Sequence, residues 1–493
     1  MNARLSRNLA LNLAGILLPV IVSMVTVPFY IHAIGAARYG IVSITWILLG
    51  YFGFLDFGLS RASANALGKL AHAPPEARAP VLITALYLNV LFGLAASFLL
   101  YLGGSSLMSH VFSLPSDLRQ ETLDAFPWIV PMLPLGMVIG VAMGALESRE
   151  RFLLSNLLSG SGMVLGQILP LFCVFKFGPS LGVVIPALLL VRLLVAVTIL
   201  GVVARLEWPI RSLAFDFGWA RKLFSYGAWV TVSSLIGPAL DTFDQLFIGH
   251  TLGPAAVAHY SVPMNIALRS QMLATALART LFPRISREDA ATGQRLATNA
   301  TISLIYVFGA MCGPAIIMAG PFLEIWIGRE FAQSSRLVAE ILLFGAWMNG
   351  IAFMPYSQLQ AQGRPHITAR VHAIEIVPFL LGLWLLIRLA GLPGAALAWS
   401  LRVGADCIAL LWLAGCLRGI LLRAIPGVTL MLLCFLLAEG LMAQPTVAFW
   451  LSVMLGLAFL GFGILLEPTL RDAAQMVAVK LIRASVRLRG ERI

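Results

Sequence analysis

Apolar residues run along this chain in long blocks, and the charges collect in the short connections between them. Cut at those connections, the sequence predicts about 14 apolar helices, each long enough to cross a bilayer at roughly 20 residues. The first six spans run near 9–33, 40–64, 80–103, 125–146, 153–175 and 181–204. The next six run near 224–249, 255–280, 297–319, 337–360, 366–388 and 393–415. Two more, near 424–442 and 447–466, precede a basic tail over 471–493. The tail places Lys480, Arg483 and Arg487 on one helical face opposite Met476, Val477 and Leu481, the pattern of a helix lying on anionic lipid or of a topology anchor.

Two local echoes divide the chain. Ile34-Gly35-Ala36-Ala37-Arg38-Tyr39-Gly40 after span 1 resembles Leu252-Gly253-Pro254-Ala255-Ala256 after span 7. Gly178-Pro179-Ser180-Leu181-Gly182 before span 6 resembles Gly391-Leu392-Pro393-Gly394 before span 12. The expected architecture is therefore an all-α polytopic membrane protein with an N-lobe at 1–210 and a C-lobe at 211–418, six helices each around a central cavity. Two further helices at 419–470 and the tail at 471–493 complete it. Six is even, so the halves enter the membrane from the same side and relate by an axis along its normal.

Composition agrees: 59% of residues are hydrophobic and 11% charged. A soluble core of that make-up would leave too much apolar surface wet. The net charge of +12 would point to nucleic acid in a soluble protein. Here it follows membrane sidedness instead. Odd-numbered connections hold few basic residues, such as Arg38, Arg119 and Arg329. Even-numbered ones hold many, among them Lys69, Arg78, Arg149, Arg151, Arg205, Arg284 and Arg364. The positive-inside rule then places both termini in the cytoplasm, with the first span retained because it exceeds a signal-peptide core of roughly 7–15 residues. No cofactor or metal is expected, since the five cysteines lie within spans and the seven histidines show no ligand or nucleophile spacing.

Charges inside spans cost about 2.5–3.5 kcal/mol each at a helix centre, so they face a protein interior and mark function. Arg192, Arg269, Arg402 and Glu375 fall closest to the midplane, while Arg61, Arg279 and Arg370 lie where an arginine can snorkel. Arg402 and Asp406 are four apart, spaced to neutralise each other on one helix. Arg269 has no acid three or four residues away and has Asn265 one turn before it, which makes it the first choice for a ligand contact. Asp241 and Asp244 share a face of span 7, a pair that can bind a cation, share a proton or pair with arginines. Span 1 carries a polar stripe of Ser23, Thr26 and Tyr30, and span 2 adds Tyr51, Asp56 and Arg61. Spans 1 and 2 against 7 and 8 are the more polar pairs and are expected to line the cavity.

The opening 70 residues also carry a text: Asn8 and Asn12, then Pro28-Phe29-Tyr30-Ile31, the Gly35 junction, and Tyr51-Phe52-Gly53-Phe54-Leu55-Asp56-Phe57-Gly58-Leu59 with Arg61-Ala62. It resembles the polysaccharide-transporter branch of the multidrug/oligosaccharidyl-lipid/polysaccharide exporter superfamily. The resemblance implies a bacterial inner-membrane flippase for undecaprenyl-diphosphate-linked oligosaccharide, feeding O-antigen, capsule or exopolysaccharide assembly by alternating access. It also implies a polysaccharide polymerase as a pathway partner and a proton or sodium ion as driver. Carried onto this chain, the substrate contacts are Arg269, Arg61, Asn265, Arg192 and Arg402. The ion-coupling candidates are Asp241, Asp244, Asp56 and Glu375.

A lipid II flippase is poorly separated from this reading by sequence. A drug/cation antiporter of the same superfamily would favour acids over mid-span arginines. A membrane glycan polymerase or ligase would carry a large external loop with catalytic residues, and the longest external connection here, Gly104 to Asp124, is ordinary in length. No Walker-type loop is present, so direct ATP use is not expected; with no Asp-x-Asp pair and only scattered histidines, no enzymatic role is expected either.

Overall fold

The computed structural model describes residues 3–52, 56–70, 73–106, 114, 116–149, 151–207, 215–472 and 474–475, and every regular element among them is helical. Most of the basic tail expected over 471–493 lies outside the described residues. In lipid, backbone polar groups must be satisfied within the segment, so long apolar runs fold as helices.

The chain forms two compact units, residues 1–258 and 259–493. The first contains α1 (Ala3–Phe52), α2 (Leu59–Lys69), α3 (Pro75–Ser106), α4 (Ser116–Ala125), α5 (Met132–Ser148), α6 (Phe152–Phe177), α7 (Leu181–Leu206) and α8 (Phe217–Thr251). α9 (Pro254–Ser270) begins at its end. The second contains α10 (Met272–Ile285), α11 (Ala290–Trp326), α12 (Arg329–Ala361), α13 (Pro365–Leu413), α14 (Leu417–Leu441) and α15 (Pro445–Leu466). Sequence placed the lobe division near 210, whereas the packing divides the chain after Ala258, because α8 lies on α1, α2 and α3.

Among the described residues, nine helices are long and apolar enough to cross a membrane, or ten with the bent pair of α4 and α5 taken as one span. Two of these, α1 and α13, each join two predicted spans across a glycine: Gly35 (φ 81°, ψ 158°) and Gly391 (φ 62°, ψ −137°). Side chains with a Cβ rarely adopt such angles, so glycine sets where these helices reverse. The echo partners Gly253 (φ 85°) and Gly178 (φ 105°) share the positive φ, so both sequence echoes mark turns made at a positive-φ glycine. Two other predicted spans are broken. Within span 2, Phe57 and Gly58 adopt positive φ just before α2 begins at Leu59; span 8 divides at Gln271, whose amide donates to the Ala346 carbonyl at 2.8 Å.

The core of the first unit sits around α2. Leu59, Ala62 and Leu67 pack with Val81, Leu82 and Ala85 of α3, Val141 and Leu146 of α5, Ile199 and Val203 of α7, and Leu223 of α8. Apolar side chains such as Phe172, Phe175 and Val197 point outward from α6 and α7, an exterior suited to lipid. α7 is held at both ends. At its start, Glu121 of α4 accepts from Leu181 N at 2.6 Å and from Arg38 Nε at 3.1 and 2.9 Å. At its finish, Glu207 accepts from Arg78 and Arg149. The sequence puts Arg38 in an odd-numbered connection and Arg78 and Arg149 in even-numbered ones.

Candidate functional site

In the first unit, Arg192 projects from the middle of α7 against α5. Gly136 of α5 makes the room: a Cβ there would lie 2.6 Å from Arg192 Nη2. The guanidinium is largely buried, and among the described residues Nη1 has no hydrogen-bond partner. A buried cation in that condition is costly and chemically suited to an anion.

The other charged positions of this unit are used differently. Asp56 accepts from Gly58 N at 2.7 Å and Ser60 N at 3.3 Å, so both oxygens fasten the turn into α2. Arg61, one turn into α2, is exposed. Asp244 on α8 is fully buried, and its Oδ1 accepts from Gln245 N at 2.7 Å. Asp241 lies on the same helix, with its side chain outside the described set.

The polar stripe of span 1 joins two helices. Thr26 Oγ1 donates to Gln167 Oε1 at 3.1 Å, and Tyr30 Oη donates to the Gln167 carbonyl at 2.9 Å. Gln167 on α6 escaped the sequence reading, which weighed only charged groups outside spans 1, 2, 7 and 8.

In the second unit, Arg269 sits half-buried in the last turn of α9, with Asn265 exposed one turn before it. The other charged residues meet across the two arms of α13. Arg402 Nη1 is 4.0 Å from Glu375 Oε2, and its guanidinium lies 5.3 Å from the centre of the Phe379 ring. Asp406 Oδ1 is 3.6 Å from His372 Nε2. These contacts run between the two arms of α13, Arg402 to Glu375 and Asp406 to His372. His372 was missed because single histidines carry no spacing signal. A hairpin turned at Gly391 does carry one: antiparallel arms that pair 375 with 402 must bring 372 close to 406.

Long apolar helices that bury arginines and carboxylates in two compact units define a multi-pass membrane protein with a transporter fold. The fold is similar to that of the lipid II flippase MurJ in an inward closed conformation, with a TM-score of 0.72 and 13% identity over 91% of this chain and 98% of that one. It is also similar to an inward-facing multidrug resistance MATE family transporter, with a TM-score of 0.58 and 12% identity over 83% and 99%. The sequence profile of the polysaccharide biosynthesis protein family matches residues 5–288, and this chain belongs to that family. Among curated relatives, the "Putative O-antigen transporter" of Shigella flexneri is 28% identical over 411 residues, covering 83% of this chain and 97% of that protein. A probable low-salt glycan biosynthesis flippase, Agl15 of Haloferax volcanii, is 26% identical over 219 residues, covering 42% and 46%.

Proposed function

We propose that this protein is a flippase that moves undecaprenyl-diphosphate-linked oligosaccharide from the cytoplasmic to the periplasmic leaflet of a bacterial inner membrane, for O-antigen, capsule or exopolysaccharide assembly. The observation that carries the reading is Arg192, a guanidinium buried in a membrane helix with a donor atom left over. A sugar diphosphate cannot cross hydrocarbon unaided, because its charges and hydroxyls would lose their water. A guanidinium offers paired, charge-assisted hydrogen bonds to the diphosphate, while the polyprenyl tail stays in lipid. Arg61, Arg269 and Asn265 are the further head-group contacts. Asp241 and Asp244 remain candidates for ion coupling, and Arg402 belongs with Glu375 in the α13 cluster. Asp56 is given to the α2 turn.

The whole-length likeness to an O-antigen transporter supports this cargo, and the skewed Lys and Arg distribution supports cytoplasmic termini. A polymerase would take the translocated repeat unit. The fold likeness to MurJ favours lipid II as the second reading, which uses the same diphosphate chemistry.

The test is the leaflet distribution of lipid-linked repeat units in a deletion strain. Wild-type protein should restore the periplasmic pool, and Arg192→Ala at equal abundance should leave units on the cytoplasmic side. Full rescue by Arg192→Ala would remove Arg192 from the site. Rescue of lipid II translocation instead would favour the second reading.

A further inference from the structure

α13 is a helical hairpin, and its arms bring four ionisable side chains together inside the bilayer span. The first arm supplies His372 and Glu375, and the second supplies Arg402 and Asp406. All are substantially withdrawn from solvent: side-chain exposure is 12% for Glu375, 11% for Asp406, 9% for Arg402 and 26% for His372.

The Glu375 and Asp406 carboxyl groups also lie within hydrogen-bonding reach of each other. Two ionised carboxylates have no hydrogen to share. In that state both Glu375 oxygens and Asp406 Oδ1 are buried with no hydrogen-bond partner among the described residues. The contacts to Arg402 and His372, at 4.0 and 3.6 Å, are longer than the roughly 2.7–2.9 Å of a charged hydrogen bond. One proton repairs the arrangement. It turns one acid into a donor and the other into its acceptor. It also balances charge: two carboxylates and one guanidinium leave a negative charge that one proton cancels, as low-polarity surroundings require.

On the first arm Arg370 is exposed, and charged groups of the neighbouring helices are engaged elsewhere. From α12, Tyr356 stacks on His372 with rings 6.1 Å apart and 7° from parallel. On α12, Glu340 is held by Arg336 and the other acid, Glu330, lies in the first turn at the far end from Tyr356; Arg423 of α14 pairs with Glu467. Cys407 adjoins Asp406 on the second arm and is buried. Among the described residues no group of three His, Cys, Asp or Glu side chains is arranged to hold a metal ion.

From this geometry we infer that Glu375 and Asp406 form a one-proton site across the arms of α13, with His372 as the port through which the proton enters and leaves. His372 is the most exposed of the four, and its Nε2 is the atom facing Asp406. Loss of the proton leaves two like charges facing each other across the hairpin, which favours separation of the arms. Binding of the proton is independent of the cargo; its use to drive translocation rests on the flippase reading.

The full-length protein in lipid nanodiscs tests this by infrared difference spectroscopy between acid and alkaline pH, with proton release followed by an indicator dye. Wild type should show a protonated-carboxyl C=O band that vanishes on alkalinisation, and should release about one proton per chain more than Glu375→Gln over the same pH step. Glu375→Gln, whose amide can donate to Asp406 without a proton, should lose the band. Asp406→Asn should do the same, and Glu375→Asp should keep the band. Replacing potassium with sodium should change nothing. A titrating band that persists unchanged in Glu375→Gln and Asp406→Asn would overturn the site. Sodium abolishing the band would overturn it in favour of a cation site. A normal band in a protein that fails the leaflet assay would leave the proton site standing and remove the flippase reading.

Discussion

Arg78 and Glu207 form an ion pair with almost no contact with solvent, joining the start of α3 to the end of α7. Arg78 Nε lies 3.1 Å from both carboxylate oxygens, and its remaining donors reach the Leu67 and Leu70 carbonyls and Ser148 Oγ. Arg149 closes the other side of the carboxylate at 2.7 Å. Removing one partner of a buried pair strands the other, at a cost of about 3–5 kcal/mol. Glu207→Ala should therefore lower the thermal midpoint in detergent sharply. Arg149→Ala, at a quarter-exposed position, should lower it far less.

The same carboxylate gives a pH signature. Burial raises the Glu207 pKa, but the hydrogen bonds from Arg149 and Arg78 outweigh it and hold the group below its ordinary value. A depressed native pKa contributes stability above the unfolded value, and that stability is lost as pH falls through the native one. Wild type should lose stability on acidification below about pH 4.3 more steeply than Glu207→Gln. Parallel melting curves would discount this contribution.

Gly391 should not tolerate a side chain. Its φ of 62° with ψ of −137° is a region open essentially to glycine alone. Gly391→Ala should cost about 1–3 kcal/mol. Gly382→Ala, in the first arm with nothing within 4 Å of the added Cβ, is the control and should be close to neutral. Chemical denaturation of the two variants side by side checks this.

Arg192→Ala should reduce translocation about 10- to 100-fold, the worth of one hydrogen-bonded charge of about 1.5–3 kcal/mol. Gly136→Ala pushes a methyl group to within 2.6 Å of Nη2 and should reduce translocation through Arg192 alone. The two changes together should then be no worse than Arg192→Ala, measured as the periplasmic pool of lipid-linked sugar.

The Thr26–Gln167 contact should be structural. Interhelical hydrogen bonds in membranes average about 0.6 kcal/mol in double-mutant cycles. Thr26→Val and Gln167→Leu should couple by about that amount in a stability cycle, with translocation per folded molecule unchanged.

Much of this protein is legible without coordinates. Long apolar runs leave the backbone no choice but helix, so the spans from 153–175 and 181–204 emerge as α6 and α7 within two residues. The repeated Gly-containing junctions announce turns, because positive φ is a property of one residue type and its neighbours. The skew of Lys and Arg toward even-numbered connections is likewise visible in the sequence, because basic residues in short loops resist translocation.

Tertiary structure decided what those charges do. A carboxylate fastens a turn at Asp56, joins two arginines at Glu207 and faces a second acid at Glu375, and no local pattern distinguishes the three. The choice depends on which side chain another helix presents at about 3 Å. That is fixed by helix rotation and by kinks such as Gly391, through packing between residues far apart in the chain. Arg192 and Arg402 therefore look alike in sequence. One faces a glycine and keeps a spare donor; the other lies beside Glu375.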